Sequence, residues 1–299
     1  LSVHYSFRPK NWQLFGEVAR SQNGALAQLH SLLVGLGPKL DLALSYRHYA
    51  KAYQAMFADA FRSSTRTQNE TGWYMGIQLR PHRQWTLNAY IDIWQHPWLQ
   101  FRADRPSLGR AYRLRLNYKR KRQSETYIEL RDRIRLENVP NEEEQTNYLV
   151  PLRSFQIRWH HNHWVHARLE LRSRIDMGFS DSPVHHYQRG FSAFQDVLYR
   201  PLGFPLSFTC RFAIFDTGSY QTRYYNYENN LLNSFSIPAY YNRGTRWYFN
   251  IRYKATKNWT MEMRVGQTDW INPEDRLDQE NKREMSVQLR YQVDTRKRR

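Results

Sequence analysis

The chain has 299 residues, of which 45 are basic and 27 acidic, for a net charge of +18; 40% are hydrophobic and 15% aromatic. A single cysteine, Cys210, excludes an intrachain disulfide. No run of 18 apolar residues occurs, so no helix of this chain is apolar enough to cross a bilayer, although strands that alternate polar and apolar residues could.

Taken in chain order, the segments read as paired strands. Residues 2–8 and 11–19 flank Arg8-Pro9-Lys10, residues 25–35 and 39–48 flank Leu36-Gly37-Pro38, and residues 72–80 and 84–94 flank Pro81-His82-Arg83. Residues 110–120 and 125–137 flank Lys121-Arg122-Gln123, and 147–160 and 164–179 flank His161-Asn162-His163. Residues 190–200 and 204–215 flank Pro201-Leu202-Gly203, residues 245–255 and 259–269 flank Thr256-Lys257-Asn258, and 283–293 is a last strand. The linkers carry Pro, Gly, Asn or charge, as tight turns require. The intervening connections, 49–71, 95–109, 138–146, 180–189, 216–244 and 270–282, are longer, with 20–24 the short exception.

Alternation is cleanest from Trp164 to Phe179. Val165, Ala167, Leu169, Leu171, Ile175, Met177 and Phe179 fall on one side, and His166, Arg168, Glu170, Arg172, Arg174 and Asp176 on the other. A period of two is that of a strand, and one apolar and one charged face suits a wall between lipid and water. Other apolar sets are Trp73, Met75, Ile77, Leu79; Trp85, Leu87, Ala89, Ile91, Ile93; Tyr112, Leu114, Leu116, Tyr118; Trp247, Phe249, Ile251, Tyr253; and Met285, Val287, Leu289, Tyr291, Val293. Cys210 is in phase with Phe208 and Phe212, as a small wall residue. Trp73, Trp85, Trp159, Trp164, Trp247 and Trp259 sit near strand ends, where rings meet headgroups.

The pattern predicts an all-β, antiparallel, up-and-down transmembrane β-barrel of about 14–16 strands over residues 1–294, followed by a basic tail at 295–299. Short turns would be periplasmic and long connections extracellular. Fifteen strands are counted; an even number requires a further one, from 219–227 or from a strand before Leu1. The sequence reads as a fragment of a longer exported protein. Two charges break the apolar face: Asp132 among Ile128, Leu130, Ile134 and Leu136, and Arg153 among Phe155, Ile157 and Trp159. A position near the outer rim or a bulge accounts for them. Tyr49, Tyr53, Met56, Phe57 and Ala60 recur at helical spacing, predicting a short helix within 49–62.

The polar face concentrates arginine. Arg113, Arg115, Arg131, Arg133, Arg168, Arg172, Arg174, Arg211, Arg246, Arg252, Arg264 and Arg290 are candidate lumen or anion-binding residues, with Arg135 and Arg158 beside them. Asp92, Glu129, Glu170, Asp176 and Glu262 are interspersed. Two readings stand: Arg–carboxylate ladders that brace the wall, or a surplus of positive charge that guides an anion. A hairpin at 161–163 would bring His160 and His166 together, but two imidazoles are too few for a metal site, and no cofactor is expected. No G-x-S-x-G, phosphate loop or H-E-x-x-H occurs, so the chain reads as non-enzymatic. The rivals are a barrel hydrolase acting on lipid and a purely structural plugged barrel.

Asn11-Trp12-Gln13-Leu14-Phe15-Gly16-Glu17, Asn69-Glu70-Thr71-Gly72-Trp73-Tyr74 and Tyr90-Ile91-Asp92-Ile93-Trp94-Gln95-His96-Pro97-Trp98 carry a further likeness. So do Tyr225-Asn226-Tyr227-Glu228, Ser234-Phe235-Ser236-Ile237-Pro238-Ala239-Tyr240 and Gly244-Thr245-Arg246-Trp247-Tyr248. Together they resemble the C-terminal barrel of Bacteroidetes helix-hairpin-helix proteins. That resemblance implies the outer membrane of a Gram-negative bacterium, with membrane lipid as partner and a role as anchor or as conduit for an anionic ligand, in a setting related to DNA uptake. The family's DNA-binding helical repeats are not among these residues, so direct DNA binding is carried over to no position here.

Overall fold

A computed structural model describes residues 1–140, 147–184, 186–271 and 281–293. The predicted basic tail and His185 lie outside them. The strands are β1 (Ser2–Phe7), β2 (Trp12–Arg20), β3 (Leu26–Gly35), β4 (Leu40–Tyr49), β5 (Glu70–His82), β6 (Trp85–His96), β7 (Ser107–Arg120), β8 (Ser124–Val139), β9 (Tyr148–His166), β10 (Leu169–Asp181), β11 (Gln188–Tyr199), β12 (Leu206–Thr217), β13 (Tyr224–Tyr225), β14 (Ala239–Tyr240), β15 (Arg243–Lys254), β16 (Trp259–Trp270) and β17 (Lys282–Tyr291). They hydrogen-bond in chain order in one sheet of 15 strands among the described residues; β13 and β14 form a separate two-stranded sheet. The all-β, antiparallel, up-and-down reading stands, as does the alternation of short turns with long connections.

By compactness the chain divides into two units, each described by itself. The first comprises Leu1–Tyr118, Ile128–Gln156 and Ser180–Tyr187, and the second Lys119–Tyr127, Ile157–Phe179 and Gln188–Arg299.

In the first unit β1 to β7 pair in register, so each residue row crosses the sheet on one face. One such row is Arg47, Gly72, Trp94 and Gly109. Burial is inverted relative to a water-soluble sheet. Arg47, Glu70 and Asp92 are 1%, 0% and 8% exposed, while Trp73, Met75 and Ile77 are 63%, 48% and 40% exposed. The face carrying the buried charges is the inner face. An exposed large apolar side chain forgoes about 1.5–3 kcal/mol of burial, so an entire face of them requires an apolar medium. Aromatic pairs sit at the short-turn edge of this face: Phe7 and Trp12 at 5.7 Å and Trp85 and Tyr118 at 4.8 Å between ring centroids.

In the second unit β11, β12, β15, β16 and β17 pair in the same way, and the row Asp196, Arg211, Tyr248, Gly266 and Glu284 runs across the inner face. Phe212, Trp247, Met261, Val287 and Tyr291 are exposed on the other face. Trp259 and Tyr291 pair with ring centroids 4.8 Å apart, tilted at 45°, beside the short turns. Connection 218–242 includes one turn of 3-10 helix, Tyr220–Thr222, and packs Tyr224 and Tyr240 against Phe194, Ala213 and Phe215 of the inner face.

Several expectations are corrected. The β9–β10 turn is at Ala167-Arg168, not at 161–163, so residues 164–166 complete β9 and Trp164 to Phe179 is not one strand. The turn was hidden because the alternation passes through it without changing phase: Arg158 of β9 and Asp176 of β10, both even-numbered, meet on the inner face. His160 and His166 therefore share one strand, about 20 Å apart at 3.3 Å per residue, and do not converge. Segment 50–69 contains no helix; Tyr53 packs with Tyr49 and Ala27 instead. The segment 219–227 adds only β13, outside the wall. The two misplaced charges are one ion pair in the first unit, with Arg153 Nε and Nη2 donating to Asp132 at 3.0 and 2.9 Å. They sit where the outward apolar run of β9 (Trp159, Ile157, Phe155) ends on the long-connection side. Tyr118, Leu116, Leu114 and Tyr112 of β7 likewise end at Arg110.

Candidate functional site: the inner arginine face

The inner face of the first unit is built around Arg47. Its Nε donates to Glu70 at 2.5 Å, and Nη1 and Nη2 donate to Asp92 at 2.8 and 3.2 Å. Glu70 also accepts from Ser63 N at 2.9 Å and Ser63 Oγ at 2.8 Å, tying connection 50–69 to the wall. Register places Gly72 opposite Arg47, and a Cβ there would lie 2.5 Å from the guanidinium carbon. The Phe61 ring covers the guanidinium at 4.8 Å. Neither Arg47 nor Glu70 is among the candidate inner-face residues read from sequence: Arg47 lies within the predicted strand 39–48 but carries no assigned face, and Glu70 falls before the predicted strand 72–80. Phase alone could have found Arg47, which shares a face with Ser45 and Tyr49.

A second node in this unit is Glu129, 2% exposed. It accepts from Arg113 and from Arg131 (2.6 Å) and lies 3.7 Å from Arg115. Arg133 lies over Trp94 at 5.2 Å and donates to the Ser63 carbonyl at 3.1 Å. Two cavities flank these groups. One of about 910 Å³ is lined by Asp41, Gln78, Asn88, Arg113, Arg115 and Asn117 toward the short turns; one of about 690 Å³ is lined by Ser63, Asn69, Trp94, His96, Arg133 and Arg135.

In the second unit the arginines are more deeply engaged. Arg211 is bidentate to Asp196 at 2.5 and 2.7 Å, donates to the Tyr227 carbonyl at 2.9 Å and lies 3.7 Å above Phe194. Arg246 donates to Glu228 at 2.6 and 2.8 Å, to Glu284 at 2.6 Å and to Thr268 at 2.7 Å. Arg264 donates to Glu228 at 2.5 Å and packs on Tyr248 at 4.2 Å. Arg252 pairs with Glu262, which also accepts from Leu232 N at 2.9 Å. Arg158 pairs with Asp176 at 2.5 Å and Arg172 with Glu170 at 2.7 Å. Arg174 donates to His160, Asn226 and the Tyr127 hydroxyl, each at 3.3 Å. Arg290 holds the inner phase of β17 opposite Thr260. Arg168 is not on the wall; it sits exposed in the β9–β10 turn.

Glu228 is the center of this network; in the sequence it appears only within the stretch Tyr225–Glu228 and carries no assigned role, although it continues the two-residue phase of Tyr224 and Asn226. Its carboxylate is fully buried and also accepts from the Tyr240 hydroxyl at 2.9 Å. Burial pushes its pKa upward, but the hydrogen bonds and charge of Arg246, then the charge of Arg264, hold it below the ordinary carboxylate range. Burial raises the Tyr240 hydroxyl, and the Glu228 charge raises it further. Chemically, donors saturated by carboxylates brace strands and fix a connection, because every charged partner is satisfied. His161 and His163 stack with Trp159 on the other face, and among the described residues no three His, Cys, Asp or Glu side chains are grouped to hold a metal ion.

No protein-family model matches the sequence, and no curated protein matches it significantly. Among solved structures the chain is similar to a chain of the RagAB peptide importer in its closed-closed state, at 9% identity and a TM-score of 0.42, over 89% of this chain and 43% of that one. It thus spans less than half the length of that chain. It is also similar to a loop L8 deletion mutant of OmpT, an outer membrane protein of Vibrio cholerae (6% identity, TM-score 0.41, covering 97% and 95%). The Pseudomonas putida toluene transporter TodX matches at 9% identity and a TM-score of 0.33, covering 89% and 81%.

Proposed function

We propose that this chain is a non-enzymatic outer-membrane β-barrel that serves as an anchor, its inner arginines bracing the wall and pinning connection 218–242 inside. The membrane reading is supported by the inverted faces, the aromatic pairs beside the short turns and the alternation of turn lengths. The resemblance to the barrel of Bacteroidetes helix-hairpin-helix proteins supports the same compartment. The observation that carries the anchor role is the saturation of Arg211, Arg246 and Arg264, each at most 4% exposed, by Asp196, Glu228 and Glu284. An anion entering there would have to displace internal carboxylates.

A second reading, a conduit for an anionic ligand, is favoured by the 910 Å³ cavity beside Arg113 and Arg115. Planar-bilayer recording of the refolded chain separates the two. The anchor reading expects silence from the parent and anion-selective current once Glu228→Ala frees the connection. Steady anion-selective current from the parent would favour the conduit.

A further inference from the structure

The short turns carry a charge pattern that the inner face does not explain. In the first unit Arg8 and Lys10, Lys39, and Arg80 and Arg83 stand on three successive turns, all exposed. In the second unit Lys119 and Arg120 end β7 and Lys121 and Arg122 stand on the turn that follows, Arg200 stands on a second turn, and Lys254, ending β15, and Lys257 flank a third, again all exposed. The nearest carboxylates, Asp41, Glu125 and Glu170, are bound by Arg80, Lys119 and Arg172. Each unit therefore ends, on this edge, in cations that outnumber the carboxylates beside them among the described residues.

Turn geometry does not select these residues. Lys10 and Arg122 sit at φ of 51° and 60°, in the left-handed region where Gly or Asn is favoured. Long cationic side chains are kept at positions where their backbone is strained. Directly above them lie the ring pairs Phe7–Trp12, Trp85–Tyr118 and Trp259–Tyr291, and Leu202 and Phe204 are exposed on the turn after Arg200. Aromatic rings mark the headgroup level, and lysine and arginine beyond them reach lipid phosphates.

We propose that in each unit the short turns form a binding collar for anionic phospholipid headgroups of the leaflet they face, with phosphatidylglycerol preferred over zwitterionic lipid. This rests on the membrane reading but goes beyond it, since a neutral edge would also span a bilayer. A soluble polyanion is disfavoured because in each unit the cations are spread over successive turns beside the rings rather than gathered with exposed aromatics into one groove.

The test uses the full chain refolded into phosphatidylcholine vesicles with and without phosphatidylglycerol. Lipid co-purifying after detergent extraction is quantified by native mass spectrometry. The comparison is the variant Lys119→Gln, Arg120→Gln, Lys121→Gln, Arg122→Gln, with Lys254→Gln and Lys257→Gln as an independent pair. Each basic residue near an anionic surface contributes roughly five-fold, so the parent should retain phosphatidylglycerol over phosphatidylcholine by at least about ten-fold, falling on added salt. Both variants should insert normally and lose most of that preference. Normal insertion with no lipid preference, or a preference both variants keep, overturns the collar and leaves the membrane reading intact. Failure to insert into either vesicle overturns both. Tight binding of heparin that phosphatidylglycerol cannot compete away overturns the collar in favour of a soluble polyanion.

Discussion

Glu228→Gln removes one negative charge from between two buried guanidinium groups while keeping the side chain's shape. Arg246 and Arg264 retain Glu284, at 2.6 and 3.4 Å, as a remaining counter-charge. Breaking a buried pair by removing one partner costs about 3–5 kcal/mol; with Glu284 still in place, the low end, about 3 kcal/mol, applies. Glu228 lies in connection 218–242 and not in the wall, so this cost falls on docking of the connection. At about 1.4 kcal/mol per tenfold, the undocked population should rise on the order of 10²-fold. Hydrogen exchange in lipid vesicles reads this directly. The amides of Glu228, bonded to the Ser236 carbonyl, and of Leu232, bonded to Glu262, should lose protection by that factor. Amides between β15 and β16 should keep theirs. Unchanged protection at Glu228 and Leu232, or an equal loss across the β15–β16 ladder, would refute the assignment of Glu228 as the clasp.

Acidification should act at the same point. The folded carboxyl of Glu228 titrates below its unfolded value, so its contribution is complete above the unfolded pKa of about 4.3 and is lost as pH falls through the folded one. Exchange at Leu232 should therefore accelerate only below about pH 4, and in Glu228→Gln that acid step should vanish. On the outer face, Arg153→Leu strands Asp132 at the edge of the apolar band and should cost about 1 kcal/mol, as suits a site near the interface. The double variant Asp132→Leu, Arg153→Leu should be at least as stable as the parent by urea unfolding in vesicles; a double variant weaker than the single one would sink this reading. At Gly109→Ala the new methyl overlaps the buried Trp94 indole directly across the register. Overpacking should lower stability by about 1–3 kcal/mol, seen as a lower urea midpoint at unchanged slope.

The wall was legible because lipid on one side and charge on the other impose the same two-residue period on every strand. Residues 72–80 fell within β5, and 110–120 within β7, with errors only at the ends. What was not legible arose where that period is silent. Ala167-Arg168 has no turn-forming residue and preserves phase, whereas Asn162 offers a turn that the chain does not use. The tyrosine spacing after Tyr49 reflects packing on Ala27 across the sheet rather than a helical turn. The role of Glu228 is not legible, although its phase with Tyr224 and Asn226 is, because that role depends on a connection returning to strands that lie 18 and 36 residues further along.

The net charge of +18 invites the conclusion that the interior is an anion path, but the positions of the charges argue otherwise. Inside the second unit, Arg158, Arg172, Arg211, Arg246, Arg252 and Arg264 each meet an internal carboxylate, so the inner face carries many cations and little unbalanced charge. Other cations stand on or beside the short turns, exposed, and among the described residues two of them, Arg80 and Lys119, pair with a carboxylate. Burial explains the partition. An unpaired guanidinium inside costs several kcal/mol, so the interior arginines are held by carboxylates or, at Arg174, by His160, Asn226 and Tyr127, whereas turn cations are solvated and free to accumulate. In the second unit the surplus charge thus lies at the short-turn edge rather than on the inner face, and removing turn cations there should change lipid selectivity while leaving bilayer conductance as it was.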